Sequence, residues 1–263
     1  MKTKITICIL LFGVFVNAQI RVQYELNYIM DSTTNYVEQE IFNLDIEQNK
    51  SLFYPTALAS MDSLVNADNY LYNNNVVEPK LDYMIEKNND ELFFDEAIAL
   101  NIFHIKEPRI LKWEIIPNSI DSIEQFKVQK AETRFGGRKW IAYYTSEIPY
   151  SEGPYKFKGL PGLILKVHDQ NKDYIFDLIA IKQIKEIFEF TFHEKIGVRK
   201  VDMDFLEYKK FLSEVETNPK VIAYLMTGNY NVELPTELSQ QFVERYKQEK
   251  IKKNNPIELS LDE

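Results

Sequence analysis

Residues 153–167, GPYKFKGLPGLILKV, decide the fold class. Pro161 fixes one backbone torsion, Gly159 and Gly162 admit torsions closed to other residues, and the apolar run Leu163-Ile164-Leu165 follows at once. A short apolar run bounded by glycine and proline reads as a buried strand. With Gly153-Pro154 as a second break upstream, the segment specifies a turn feeding a sheet, and not a reaction.

Outward from it, the dominant period is two. Upstream, 124–135 and 138–148 read as strands separated only by Gly136-Gly137, a pair suited to the positive φ angles of a two-residue hairpin. Trp140-Ile141-Ala142-Tyr143-Tyr144 is apolar or aromatic on both faces, so its strand is expected to be central and covered on both sides. Downstream, 163–168, 174–181 and 188–193 read as three more. Near the start, Ile20, Val22, Tyr24, Leu26 and Tyr28 alternate with polar residues, and Phe42, Leu44 and Ile46 repeat the pattern. Further strands are predicted near 51–54, 70–72, 81–86, 100–106 and 111–116, with 56–75 an insertion carrying a short helix at 57–64. From Asp202 the period moves towards 3.6. Phe205, Tyr208, Phe211 and Leu212 mark one amphipathic helix, capped by Asp202 or Asp204, and Phe242, Val243 and Tyr246 mark another over 236–250. The predicted fold is mainly β (α+β): a strongly curved antiparallel sheet of nine or ten strands, a bowl or half-barrel, with C-terminal helices packed on it.

The N-terminus carries Lys2 and Lys4, an apolar stretch from Ile5 to Val16 and the small-residue end Val16-Asn17-Ala18, the pattern of a secretory signal cleaved after Ala18. Residues 1–18 are thus read as a signal peptide and 19–263 as a single β-rich domain, a meander over 19–200 and a helical cover over 201–263. The product is expected to be periplasmic or secreted, and not membrane-spanning after cleavage. The only cysteine, Cys8, leaves with the signal, which excludes thiol nucleophiles, disulfides and thiolate metal sites from the mature chain. That chain keeps 29 basic side chains against 40 acidic ones, a net charge of about −11, which excludes nucleic acid as a partner.

Catalytic patterns were sought and none is complete. His104, His168 and His193 belong to no paired zinc motif, no Gly-x-Ser-x-Gly elbow occurs, and Ser151 is read as a turn residue. Asp202 with Asp204, Asp95 with Glu96, and Glu147 are carboxylates whose spatial separation sequence does not reveal. Asp68 among asparagines lacks the glycine of a calcium loop. No catalytic residue, metal site or cofactor is assigned. Trp140, Tyr143, Tyr144, Tyr150 and Tyr155 surround the signature, and aromatic faces of this kind fill a core or bind sugars, peptides and lipid chains. Arg138, directly after the Gly-Gly turn, is placed to pair with Glu147 or to stack on a ring.

Residues 136–167, GGRKWIAYYTSEIPYSEGPYKFKGLPGLILKV, resemble the GLPGLI family of exported Bacteroidetes proteins, named for the hexapeptide Gly159-Leu160-Pro161-Gly162-Leu163-Ile164. The likeness extends to Gly137-Arg138 before Trp140, to Glu147-Ile148-Pro149, to Gly153-Pro154 and to Asn255-Pro256-Ile257-Glu258. One departure is the strand 126–131, where relatives often carry Tyr-x-Cys-x-Lys-Ala and this chain has Val128 in place of the cysteine. The chain is also similar to the bowl-like N-terminal domain of some secreted bacterial peptide-N-glycosidases, an accessory domain. The resemblance implies a fold and no settled activity. Three readings follow: a non-enzymatic periplasmic binding or accessory protein that holds an apolar ligand, a glycan or an envelope protein; a lipid or lipoprotein carrier, or an outer-membrane assembly component; and a hydrolase using Glu147, Asp169 or His168.

Overall fold

In the computed structural model, which describes residues 19–67, 77–191 and 197–262, the alternation read in the first strand is carried through without a break. Every second side chain of β1 (Ile20–Tyr28) is buried, from Ile20 to Tyr28, while Arg21, Gln23, Glu25 and Asn27 face outward. β1 lies between β2 (Glu38–Glu47) and β11 (Tyr174–Gln183), both antiparallel, so Tyr24 sits level with Phe42 on one side and Leu178 on the other. These apolar rows make the inner face of one twelve-stranded sheet.

The chain builds that sheet as two meanders. β1, β2, β3 (Lys50–Pro55), β4 (Met84–Asn88), β5 (Glu91–Ile98) and β6 (Asn101–Lys106) lie in sequence order towards one edge. β7 (Glu114–Ile123) starts again at the opposite edge, and β8 (Phe126–Phe135), β9 (Arg138–Thr145), β10 (Leu163–Asp169) and β11 lead back to β1. β12 (Arg199–Met203) joins outside β6 and is the only parallel strand among them.

This order forces the sheet to curl. β6 and β7 are ten strand spacings apart, about 48 Å along a flat sheet at ~4.8 Å per strand. Only residues 107–113 connect them, a span of at most about 28 Å. The two edges must therefore approach each other across the mouth of a bowl.

Aromatic side chains fill the bowl, and the three described C-terminal helices pack against that core. Phe42 stacks on Phe53 at 4.9 Å between ring centres, Trp140 meets Phe157 at 4.5 Å, and Phe53 and Phe157 both pack edge-on against Phe176. Helix α1 (Thr56–Asn66) lies outside the sheet, where Leu58 and Val65 make a small second core with Met61, Met84 and Phe190. Helix α2 (Phe205–Glu214) begins where the Asp204 carboxylate accepts the Glu207 N–H, and its buried stripe Phe205, Tyr208 and Phe211 packs on Phe94 and Phe103. Helix α3 (Pro219–Thr227) is started by Asn218 and Pro219 and ended by Gly228 in the left-handed region. Helix α4 (Thr236–Lys252) buries no residue fully and rests on its Phe242 and Tyr246 stripe. No described helix is long and apolar enough to cross a membrane.

Two readings of the sequence are corrected, and the choice of helix cap is settled. The sheet has twelve strands, not nine or ten, because β5 and β12 were missed. The Asp95-Glu96 pair interrupts the apolar run of β5, and β12 alternates charged residues along an edge. Residues 188–191 are not a strand: Phe188 and Phe190 pack on Tyr54 from outside, and the Phe188 N–H donates to the Asp45 carboxylate, at a place where β2 and β3 already have their sheet neighbours. Helix capping falls to Asp204, and Asp202 instead lies in β12 level with His104. Residues 1–18, the strand read at 70–72, Asp68 and His193 lie outside the described residues.

Candidate functional site

The signature residues form a loop, 146–162, folded into the bowl between β9 and β10. The loop closes on itself through Phe157 N–H to Pro154 O, Gly159 N–H to Ser151 O and Gly162 N–H to Leu160 O. It joins the sheet through Leu163 N–H to Ile148 O, while Ile164 N–H returns to Glu152 O within the same loop. Gly162 has φ +146°, and a Cβ there would lie 2.0 Å from the Thr145 carbonyl oxygen, so only glycine fits. At Gly153 a Cβ would meet the Phe157 carbonyl at 2.6 Å. Pro154, Leu160, Leu163 and Ile164 are buried, whereas Pro149, Gly159 and Pro161 are exposed along the outer edge of the turn. The register shift between Ile164 and Lys166 lets Leu163, Ile164 and Leu165 all turn inward.

The loop buries both apolar and polar side chains, and Tyr155, Lys156 and Phe157 lead into the cluster that holds it. Phe157 is fully buried beside Trp140, whose indole N–H donates to the Phe135 carbonyl at 3.0 Å. Lys156 is 3 % exposed and its ammonium donates to Glu107 at 2.7 Å and to Glu258 at 2.6 Å, lying 3.6 Å from the centre of the Phe94 ring. The Tyr155 hydroxyl donates to Glu258. Arg109 completes the set: it forks onto both oxygens of Glu107 at 2.7 Å, reaches Glu258 at 2.5 Å, and lies over the rings of Phe135 and Phe205. Burial opposes the charge of Glu107, but Arg109 and Lys156 outweigh it and hold the carboxyl below its ordinary range. Burial, and then the Glu258 carboxylate, push the Tyr155 phenol up.

Two carboxylates and two cations thus balance in charge, and each carboxylate oxygen accepts at least one hydrogen bond. Such an arrangement clamps chain segments, with every carboxylate oxygen already engaged by the protein's own donors. It joins the 107–113 connection, the signature loop and the C-terminal segment across the seam where the edges of the sheet approach.

Arg138 ties down the same C-terminal segment from the other side. It is 5 % exposed and donates to Asp169 at 3.0 Å, to Asp173 at 3.1 Å, to the Asn255 side chain at 2.5 Å and to the carbonyls of Ile257 and Pro256. Its guanidinium lies 5.1 Å from the centre of the Tyr174 ring, which is the expected stacking. The expected partner Glu147 is elsewhere: at the far end of β9 it is exposed and accepts the Lys127 N–H at 3.0 Å. Asn255 extends the knot to the end of β1, its side-chain amide donating to the Ile29 carbonyl at 2.7 Å and its backbone N–H to the Met30 carbonyl at 3.0 Å.

The residues named for a hydrolase do not converge. The Asp169 carboxylate accepts from Arg138 and the Tyr174 N–H, and His168 bonds the Asp169 backbone carbonyl through Nδ1 at 2.8 Å. His104 instead meets Asp95 on the outer face, Nδ1 to Oδ1 at 2.6 Å. Among the described residues no group of three His, Cys, Asp or Glu side chains is arranged for a metal ion. Sequence reasoning missed Glu107, Arg109, Lys156 and Glu258. The signal was charged residues close to a proline, at Glu107-Pro108-Arg109, Pro154-Tyr155-Lys156 and Pro256-Ile257-Glu258.

A family model described as a protein of unknown function (Porph_ging) matches residues 104–166, from β6 to β10. No curated protein matches the sequence. Among solved structures, PNGF-II in a P21 crystal form is similar with a TM-score of 0.50 and 15 % identity, and in a C2 form with 0.51 and 16 %; each covers 73 % of this chain and 32 % of that one. The chain therefore spans about a third of the length of PNGF-II, and the likeness is one of fold, a bowl-like β protein. A LolA superfamily protein, NE2245 from Nitrosomonas europaea, aligns over 67 % of this chain and 91 % of its own at 10 % identity and a TM-score of 0.30, too distant to carry an argument.

Proposed function

We propose that this chain is an exported binding or accessory protein of the GLPGLI type, working in the periplasm or outside the cell, and that it recognises its partner from the outer surface and rim of the bowl. The observation that carries this reading is the filling of the interior by the protein's own chain. Phe157 and Leu160 from the signature loop, with Trp140, Phe176 and Phe53 from the sheet, are at most 1 % exposed. The hydrophobic stabilisation of these side chains, roughly 1.5–3 kcal/mol each, is already spent on the fold, and a guest acyl chain would have to displace them. The match to a family of unknown function and the likeness to PNGF-II over a third of its length are compatible with an accessory role.

Solvent extraction of the purified protein followed by mass spectrometry tests the reading. The expected result is no stoichiometric acyl chain, and no thermal stabilisation by added fatty acid or phospholipid. One bound acyl chain per protein would overturn it in favour of a carrier.

A further inference from the structure

On the outer face of β4, β5 and β6, away from the clamp, the sheet carries a notch of about 170 Å³. Its floor exists because Ala97 and Ala99 are small where neighbouring outward positions are not. Leu58 of α1, Met84, Ile102 and Val198 wall it with aliphatic groups, and two carboxylates, Asp82 and Asp95, line it as well. At ~30 Å³ for each water-sized group, the space takes roughly five or six heavy atoms.

The charges in the notch are unbalanced towards the negative. Asp95 uses one oxygen on His104 Nδ1 at 2.6 Å, while its other oxygen has Lys200 no nearer than 3.9 Å. Asp82 makes no ion pair among the described residues. Its side chain is exposed at the opening, yet the protein packed around it raises its pKa and Asp95 adds to the rise, while a hydrogen bond from its own backbone N–H and the charge of Lys253 act against it. A cation placed here would offset the desolvation of Asp82, and the aliphatic walls would receive a short hydrocarbon arm. An anion would meet two carboxylates on a protein of net charge −9.

We infer that the notch between α1 and β4–β6 is a binding site for a primary alkylammonium group on an arm of about four carbons, carried either by a free amine or by a lysine side chain of a partner polypeptide. The inference rests on recognition from the outer surface, but the two fail separately: a bound acyl chain would overturn that reading and leave the notch unaffected.

The test is an NMR titration of the full chain with n-butylammonium, with Nα-acetyl-lysine methylamide, and with n-butanol as the neutral match. Shifts should map to Ala97, Ala99 and Ile102 and saturate at millimolar ammonium, with butanol at least about tenfold weaker. Asp82→Asn should weaken the ammonium compounds by about fivefold or more, and Ala97→Leu, which fills the floor, should abolish binding. Ala97 is exposed, so its replacement should leave the thermal unfolding midpoint unchanged, and Asp82→Asn removes a carboxylate whose charge is disfavoured and should not lower it; the midpoint is recorded for each variant. Binding of both ammonium compounds supports a lysine side chain as a source, and binding of butylammonium alone supports a free amine. Equal affinity for butanol, or a titration unchanged by Ala97→Leu, overturns the site.

Discussion

Replacing Lys156 by methionine isolates the role of the clamp. The thioether chain keeps most of the volume and the contact with the Phe94 ring, so little of the effect should come from packing. What is lost is an ammonium that donates to Glu107 and Glu258, whose side chains are 0 % and 8 % exposed. Arg109 remains, leaving two buried carboxylates with one cation. Removing one partner of a buried ion pair costs about 3–5 kcal/mol, and Arg109 should keep the loss near the lower end of that range at pH 7. Acidity supplies the control. In the wild type the folded pKa of Glu107 is depressed, so its stabilisation is present above the unfolded value of about 4.3 and is lost as pH falls through the folded value. In the variant, burial is no longer outweighed, the carboxyl takes a proton more readily, and the gap between the two proteins should narrow from pH 7 to pH 4.5. Urea unfolding followed by fluorescence measures both, since Trp140 is buried against Phe157 and the Trp113 indole donates to Lys158 O in the same loop. A loss below about 1 kcal/mol at pH 7, or a gap independent of pH, would refute the view that this ion cluster holds the seam.

Gly162→Ala should cost more than about 3 kcal/mol in the same assay, because its Cβ would collide with the Thr145 carbonyl, while Gly159→Ala should cost only about 1 kcal/mol, since nothing lies within 4 Å. Burial, and then Asp82, raise the Glu96 carboxyl to about 7. The folded state then keeps a proton that the unfolded chain releases, so stability falls as pH rises from about 4.5 to about 7 and is flat above; Glu96→Gln should remove that slope and raise stability at pH 8 by up to about 2–3 kcal/mol, with little effect at pH 4.5. Asn255→Ala takes an acceptor from the buried Arg138 and a donor from Ile29 O, and should cost about 1–3 kcal/mol while speeding amide exchange at Leu259, whose N–H is held by Gly136 O.

Local grammar made much of this fold legible. The alternation in β1, the Gly136-Gly137 hairpin, the buried run after Pro161 and the amphipathic stripe of α2 are all written in stretches of about ten residues, and each is formed as read. β5 was hidden because its Asp95 and Glu96 point to opposite faces, one meeting His104 on the outer face and the other buried enough to have its pKa raised. Phe188 and Phe190 have the spacing of strand residues, but the strands they pack against, β2 and β3, already have neighbours on both sides, and that depends on strand order. The aromatic set around the signature was read as core or as binding face with equal chemistry on either side. Only the position of the loop, inside the bowl, makes Tyr155 core.

The position of the signature follows from topology. A chain that jumps from β6, beside the β12 edge, to β7 at the opposite edge through seven residues leaves a seam where no backbone ladder closes the barrel, so side chains must do it. The groups available are those near the seam in space: Glu107 and Arg109 on the connection itself, Lys156 and Tyr155 on the loop pressed inward by Gly153 and Gly162, and Glu258 on the segment that Arg138 holds down. The glycines and prolines of the hexapeptide and the late Asn255-Pro256-Ile257-Glu258 therefore act in one device although about a hundred residues separate them. Loss of the loop geometry should then loosen the C-terminal segment as well, so amide exchange in Gly162→Ala should rise at Leu259 and Ser260, far from the substitution in sequence, before it rises in β1. Exchange confined to residues near 162 would show that loop and tail are independent.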